Sequence, residues 1–283
     1  CLAASGPLAY LLCRRLGVTH WSTMAATTGP LCSRGWVFFP FDPWLSDPAA
    51  FLLLAACFLA LVAGWLWAMP PLAMLLATTR ELAVGLVLPV YVFLARRRVD
   101  LFAAVVALTT AVAAAVSYRA VVAAVPQSGV VALGGVNLGS MRYAYEHRVA
   151  NGNAWPWVAN TFAMSLGCLW VLAVVASGAR AIHRLAWWLV PVAGMFLLGY
   201  DWSRFAMYAF PVVVPAAALA LQRARHRPLL LGLLAAQALV PLVDVADGQL
   251  TLNNPGPSLA FTVVLMTLTA LALWWPRLPV RHG

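Results

Sequence analysis

Long apolar stretches alternate along this chain with short segments that carry its arginine residues. Many of the stretches approach or reach the roughly 20 residues that a helix needs to cross a membrane. The pattern therefore predicts an all-α fold, a polytopic transmembrane helical bundle that forms a single domain over residues 1–283, with about 9–11 membrane segments. The candidate segments are residues 1–13, 17–33, 49–64, 66–79, 82–95, 99–124, 156–177, 185–200, 205–221, 229–246 and 257–275.

The arginine clusters predict which ends of these segments face the cytoplasm. All 18 basic residues are arginine, and most of them stand in groups between apolar stretches. Because positively charged loops remain on the cytoplasmic side, the pattern predicts a multi-pass protein of the cytoplasmic (inner) membrane with a cytoplasmic C-terminus. Residues 125–155 then form the longest extracytoplasmic loop. The clusters are Arg14 with Arg15, Arg96 to Arg98, Arg180 with Arg184, Arg223 with Arg225 and Arg227, and Arg277 with Arg281.

Composition supports the same class of protein. Hydrophobic residues make up 64% of the chain and charged residues 9%, whereas an average soluble domain is about a quarter charged. The net charge of +10 does not indicate nucleic-acid binding, because no stretch combines basic and polar residues in a soluble module. Membrane lipid is the expected partner. The five cysteines lack CxxC spacing and are expected to pack as small apolar residues rather than to form disulfides.

The acidic residues point to the extracytoplasmic face as the place for a polar site. Seven of the eight lie at predicted outer helix ends or in outer loops, and Asp100 alone lies inside. Acidic residues contribute little to membrane orientation, so this distribution is an observation separate from the arginine pattern. Two explanations remain open. The cytoplasmic ends are kept basic and the acidic residues occupy the remaining polar positions, or the acidic residues belong to an outer-face site.

Two groups in the first third of the chain are candidates for that site. Asp42 and Asp47 flank a Pro-Trp pair in FDPWLSDP, immediately before an apolar segment, and are the candidate catalytic acids. Asp47 precedes Pro48, so a helix N-cap is its alternative role. Arg80 and Glu81 lie between two apolar segments, where a charged pair is costly unless it is solvated at a turn or faces an aqueous cavity. In a cavity, Arg80 would suit a phosphate.

The second half of the chain offers two further candidates for substrate binding. Asp201 and Arg204 are three residues apart and share a helix face, either as an ion pair or with Arg204 turned toward a substrate phosphate. Tyr145 and His147 lie in the loop RYAYEHRVANGNAW, which either binds a sugar or phosphate or is simply solvated. The spacing predicts no metal site and no cofactor, although the outer acids leave a divalent metal ion open.

Three segments together resemble the GT-C superfamily of multi-helix membrane glycosyltransferases. They are FDPWLSDPAAFLLLAACFLAL, LLATTRELAVGLVLPVYVFLARRR and GYDWSRFAMYAFPVVVP, and the resemblance covers most of residues 1–221. It implies a helical bundle that transfers a sugar from a polyprenyl-phosphate donor to a glycan, lipid or protein acceptor at the extracytoplasmic face. The richness in Ala, Leu and Val is compatible with a bacterial source, which would place the bundle in the cell envelope. It also implies a general base in the first outer loop and basic residues on the donor phosphate.

One departure from that family pattern affects the catalytic assignment. Residues 1–13 have the pattern of the second half of a helix, so we expect the N-terminal helix and the first outer loop, with the main base, to lie upstream of Cys1. Asp42 and Asp47 are then secondary candidates, and this chain alone would lack the principal catalytic carboxylate. The alternative function is that of a transporter, flippase or polymerase-like membrane protein without glycosyl transfer.

Overall fold

A computed structural model describes about two thirds of the chain, and these residues are almost entirely helical. In the described ranges there is no β-strand, so the prediction of an all-α protein is confirmed for them. For residues 2, 31, 81, 82, 84, 154–157, 181, 197, 198, 203 and 257 only the backbone is described. The described residues are 2–31, 47–79, 81–86, 89–90, 92, 113, 116, 146, 154–176, 178–198, 202–241 and 257–274.

Twelve α-helices account for most of these residues. Two short 3-10 helices, Leu66–Ala68 and Glu81–Leu86, lie on either side of the fourth α-helix. The α-helices are α1 (Leu2–Arg15), α2 (His20–Leu31), α3 (Asp47–Ala63), α4 (Met69–Thr79), α5 (Ala154–Ser165), α6 (Cys168–Ala176), α7 (Arg180–Ala186), α8 (Leu189–Leu198), α9 (Trp202–Met207), α10 (Phe210–Arg223), α11 (Arg227–Gln237) and α12 (Pro257–Trp274).

Helix α10 is the centre of the described structure. Every residue from 210 to 221 is buried, as expected for a helix that is apolar on all sides. It packs against α1, α2, α3, α6, α7 and α11. Pro211 stands in its first turn, where the missing N–H removes no intrahelical hydrogen bond.

Contacts near the two ends of α10 join helix ends that are distant in the sequence. In its last turn, Gln222 Oε1 accepts a hydrogen bond of 3.0 Å from Thr19 N, in the turn that follows the first arginine pair. In the same region, the guanidinium of Arg15 lies 5.8 Å from the ring centroid of Trp65, beyond the end of α3. Near the other end of α10, the first residue of α3 meets Tyr208. These contacts pair predicted inner ends with inner ends and predicted outer ends with outer ends. Trp188 differs: it lies near the predicted inner end of the segment 185–200, but it donates a hydrogen bond to the Tyr208 carbonyl near the predicted outer end of α10.

The segment predicted at 156–177 is not one straight helix. It consists of α5 and α6, and the bend between the parts Val158–Ser165 and Cys168–Ala176 is 89°. Only together do they reach the length and hydropathy of a membrane-spanning helix, and no single helix within the described ranges does so. Residues 185–200 are likewise divided, because α7 ends at Ala186 and α8 begins at Leu189.

A glycine and a distant glutamine form the bend between α5 and α6. Gly167 has a φ of +50°, in the left-handed region that side chains disfavour, and its N–H bonds to Phe162 O over 3.1 Å. The next N–H, that of Cys168, donates to Gln237 Oε1 over 2.8 Å. The buried Gln237 side chain therefore binds an amide at the start of α6 that has no partner within its own helix.

The prediction that cysteines pack rather than pair is confirmed for three of the five. Cys13, Cys57 and Cys168 are buried and carry free thiols. Each lies in or at the start of an apolar helix, where a cysteine packs as a small hydrophobic residue.

We expect Gly167→Ala to lower the free energy of unfolding by about 1–3 kcal/mol, because the φ of +50° strains any residue with a Cβ. The new Cβ would also lie 2.5 Å from Gln237 Oε1. Thermal unfolding of the purified protein, followed by circular dichroism, measures the effect. Gly232→Ala is the matched control: nothing lies within 4 Å of its Cβ position, in an exposed part of α11. Equal stability of both variants would contradict the role of Gly167.

Candidate functional site

Asp47 is a fully buried acid at the start of α3, with an exposed fraction of 0%. Its Oδ1 accepts a hydrogen bond from Tyr208 Oη, and its Oδ2 lies 3.7 Å from Nη1 of Arg204. Helix α3 begins at Asp47 itself, so the residue occupies the first turn, where a negative charge interacts favourably with the helix dipole. The carboxylate thus joins the start of α3 to α9 and to the turn that precedes α10.

Arg204 is the charged residue of this group that reaches the surface. It lies in the last turn of α9, and 19% of its side chain is exposed. The guanidinium carbon stands 5.8 Å from the ring centroid of Phe205. At 3.7 Å, its contact with Asp47 is an ion pair rather than a tight hydrogen bond. One side of the guanidinium therefore faces a buried carboxylate, while part of the side chain remains accessible.

Tyr208 is held in place at both its ring and its backbone. It is almost fully buried, and its ring centroid lies 4.7 Å from that of Phe51, one turn after Asp47 on α3. Phe51 in turn makes an edge-to-face contact with Phe210 at 5.8 Å. The carbonyl oxygen of Tyr208 accepts a hydrogen bond of 2.8 Å from Trp188 Nε1. These contacts fix the phenol against Asp47.

Trp188 also connects this group to the segment that follows Arg80. A Cβ on Gly85, in the 3-10 helix Glu81–Leu86, would lie 3.4 Å from the Trp188 ring and 2.4 Å from Pro191. The absence of a side chain at Gly85 therefore allows this segment to approach α8 and Trp188 closely. The backbone after Arg80 and the backbone of Tyr208 thus pack against the same indole.

The structure brings together two of the predicted site residues, Asp47 and Arg204, which are 157 positions apart in the sequence. For Glu81 the backbone alone is described, at the start of its 3-10 helix. The remaining predicted residues lie outside the described part of the chain, so their positions stay predictions. These residues are Asp42, Arg80, Tyr145, His147 and Asp201.

Tyr208 was not among the residues predicted from sequence. The available signal was its position four residues after Arg204, which places both side chains on one face if the segment is helical. The ion pair of Arg204 with Asp201, one of the two predicted alternatives, lies outside the described residues, and a described partner of Arg204 is the distant Asp47. Among the described residues, no group of three or more His, Cys, Asp or Glu side chains could hold a metal ion.

This arrangement is suited to holding an anion. A fully buried carboxylate is not accessible to an acceptor hydroxyl in this conformation, and the contacts of Asp47 are with Tyr208 and Arg204. A guanidinium oriented in this way presents several N–H donors in a fixed plane, which matches phosphate and carboxylate groups. The catalytic role predicted for Asp47 therefore stays a prediction, and its observed contacts are those of a positioning residue.

Tyr208→Phe should destabilise the fold by about 1–3 kcal/mol, because the buried Asp47 carboxylate loses one hydrogen-bond donor. Thermal unfolding of the purified variant measures the loss. Tyr10→Phe is the matched control, since Tyr10 Oη contacts His20 Nδ1 at 2.8 Å in an exposed position. An exposed hydrogen bond contributes less, and we expect little change there. If Tyr208→Phe were as stable as the control, the phenol would not support the carboxylate.

Comparisons with known proteins leave this site without a family assignment. No family model matches the chain, and no curated protein or solved structure is similar to it. The resemblance to GT-C glycosyltransferases therefore rests on the three sequence segments.

Proposed function

We propose that this chain is an integral membrane glycosyltransferase of the GT-C type. It transfers a sugar from a polyprenyl-phosphate donor to a glycan, lipid or protein acceptor at the extracytoplasmic face of the inner membrane. The described helices then belong to a polytopic transmembrane bundle. The observation that carries the proposal is a partly exposed arginine, Arg204, held by a fully buried carboxylate at a predicted outer helix end.

The surface of the described helices supports their location in a membrane. Large apolar side chains are exposed along several helices, which is unusual for a protein in water when such positions form continuous faces. On α12, five such residues recur at helical spacing. They are Val263, Val264, Leu268, Leu271 and Trp274.

The chemistry of the proposed reaction requires an oriented cation. The acceptor hydroxyl oxygen bonds to the anomeric carbon, while the bond from that carbon to the phosphate oxygen breaks. The bond's electron pair leaves with the phosphate, and the hydroxyl proton passes to a base. Arg204 stabilises the negative charge that develops on the leaving phosphate, as a preorganised donor does in other enzymes. Asp47 and Tyr208 hold Arg204 in position.

The other outer-face residues predicted from sequence belong to the same proposal. Arg80 is the second phosphate ligand, and the packing of Gly85 against Trp188 supports it by tying the segment after Arg80 to the Tyr208 backbone. Asp42 is the candidate acid toward the acceptor. Glu81, Asp201, Tyr145 and His147 are proposed to contribute to substrate binding.

One observation favours a second function, that of a transporter or flippase without glycosyl transfer. The pair α5 and α6 is an apolar segment broken at 89°, and broken helices carry the binding sites of many secondary transporters. This function predicts movement of a lipid or solute across proteoliposome membranes without formation of a glycosylated product. Glycosyl transfer by the purified protein, expressed from its complete gene, would distinguish the first function from the second.

Arg204→Ala should reduce sugar transfer by roughly a hundredfold, because it removes a donor to the leaving phosphate. Membranes that contain each variant are assayed with a radiolabelled polyprenyl-phosphate sugar. Arg204→Lys keeps the charge without the planar pair of donors, so we expect partial activity. Arg180→Ala is the matched control, an exposed arginine at the predicted cytoplasmic face.

The amount of folded protein in each membrane must be measured, because Asp47 loses an ion pair in the alanine variant. Full transfer activity in Arg204→Ala, at equal folded protein, would remove Arg204 from the proposed mechanism. Arg80→Ala, tested in parallel, should show a loss of similar kind if both arginines bind the same phosphate.

A further inference from the structure

At the end of the bundle opposite Asp47, two arginine clusters far apart in sequence come together. Gln222, near the end of α10, makes the connection. Its side-chain Oε1 accepts a hydrogen bond from Thr19 N over 3.0 Å, in the turn that follows Arg14 and Arg15. Its main-chain carbonyl accepts a hydrogen bond from Nη2 of Arg227. The turn after the first cluster and a member of the second are therefore bonded to the same residue.

The five arginines of this end form an exposed surface that lacks acidic neighbours in sequence. We call it the basic end; all five side chains are exposed. Neither residues 1–41 nor residues 202–243 contain an aspartate or a glutamate. The local charge of these segments is therefore not balanced by acids within them. The arginines are Arg14, Arg15, Arg223, Arg225 and Arg227.

Exposed indole rings accompany these charges. The ring of Trp65 lies under the Arg15 guanidinium, with 5.8 Å between the guanidinium carbon and the ring centroid. Trp67, two residues further on, is 80% exposed. Trp21 is also 80% exposed and makes an edge-to-face contact of 5.3 Å with His20, beside the turn at Thr19. Exposed tryptophans beside arginines are typical of the depth at which lipid headgroups meet acyl chains.

We propose that the basic end binds the phosphodiester headgroups of acidic phospholipids in the adjacent leaflet. Arginine forms paired hydrogen bonds with phosphate oxygens, and clustered arginines near a membrane surface attract anionic lipid. The tryptophans anchor the same surface among the headgroups. A nucleic acid would meet the arginine charge equally well, but it offers no apolar layer for the exposed indoles. This inference does not depend on glycosyl transfer.

Several features of the structure hold the basic end in shape without lipid. Arg14 Nη1 donates to Val18 O over 2.8 Å, closing the turn between α1 and α2. Tyr10 Oη lies 2.8 Å from His20 Nδ1 across the same turn. Because the turn is bonded both internally and to Gln222, the two arginine clusters keep their relative positions. A lipid phosphate therefore meets a preformed surface and orders few residues on binding.

The test counts lipids retained by the full chain. The protein is purified in a nonionic detergent and titrated with phosphatidylglycerol or phosphatidylcholine, and bound lipids are counted by native mass spectrometry. We expect phosphatidylglycerol to bind at least about tenfold more tightly than phosphatidylcholine. Added 0.5 M NaCl should weaken phosphatidylglycerol binding alone, because salt screens exposed charges. Equal binding of the two lipids by the wild-type chain would overturn the proposal.

A charge-removed variant locates the binding. Replacing Arg15, Arg223, Arg225 and Arg227 together by Gln should remove most of the preference for phosphatidylglycerol. The control Arg180→Gln removes an exposed arginine outside the two clusters and should keep the preference. A full preference in the fourfold variant would overturn the proposal. Displacement of phosphatidylglycerol by millimolar inorganic phosphate, or by an RNA oligonucleotide, would also overturn it, in favour of a free anion or a nucleic acid.

Discussion

A carboxylate removed from water must be met by donors or cations, and in this chain that requirement determines how three helices come together. Asp47 has no exposed surface, and the protein has few charged residues that could pair with it. The hydroxyl of Tyr208 and the guanidinium of Arg204 meet it from residues that lie more than 150 positions later. The start of α3, helix α9 and the turn before α10 are therefore held at one point. Elsewhere in the described core the contacts are largely apolar and less directional.

Helix α10 connects the Asp47 group to the basic end. It leaves the Asp47 group at Phe210, is buried along its length, and reaches the basic end at Gln222. The Asp47 group and the basic end thus lie at opposite ends of one apolar helix. The proposed phosphate of a sugar donor and the proposed phosphates of acidic lipids would meet arginines at these opposite ends. The two groups of arginines differ in their acidic neighbours. Arg204 faces a buried carboxylate, whereas the segments that carry the five arginines of the basic end contain no acidic residue.

The sequence predicted the helical class, because that follows from composition and from periodic spacing. It also identified Asp47 and Arg204 as candidates, because charges beside apolar segments are few and easily recognised. Their contact could not be predicted, since pairing over 157 positions depends on how helices pack. The bend at Gly167 was missed for a similar reason. One glycine in an apolar stretch is compatible with a straight helix, and the amide of Gln237 that supports the bend comes from another helix.

That support from Gln237 has a consequence for synthesis. The chain leaves the ribosome from its N-terminus, so Gly167 and Cys168 emerge about 70 residues before the glutamine that bonds to them. Until α11 arrives, the first amide of α6 lacks this acceptor, and a continuous apolar helix across the junction remains the competing structure. The bend between α5 and α6 is therefore completed after the two helices have formed. A pause in translation before residue 237 would give the segment time to settle as a straight helix, and the arrival of Gln237 is the event that favours the bent form.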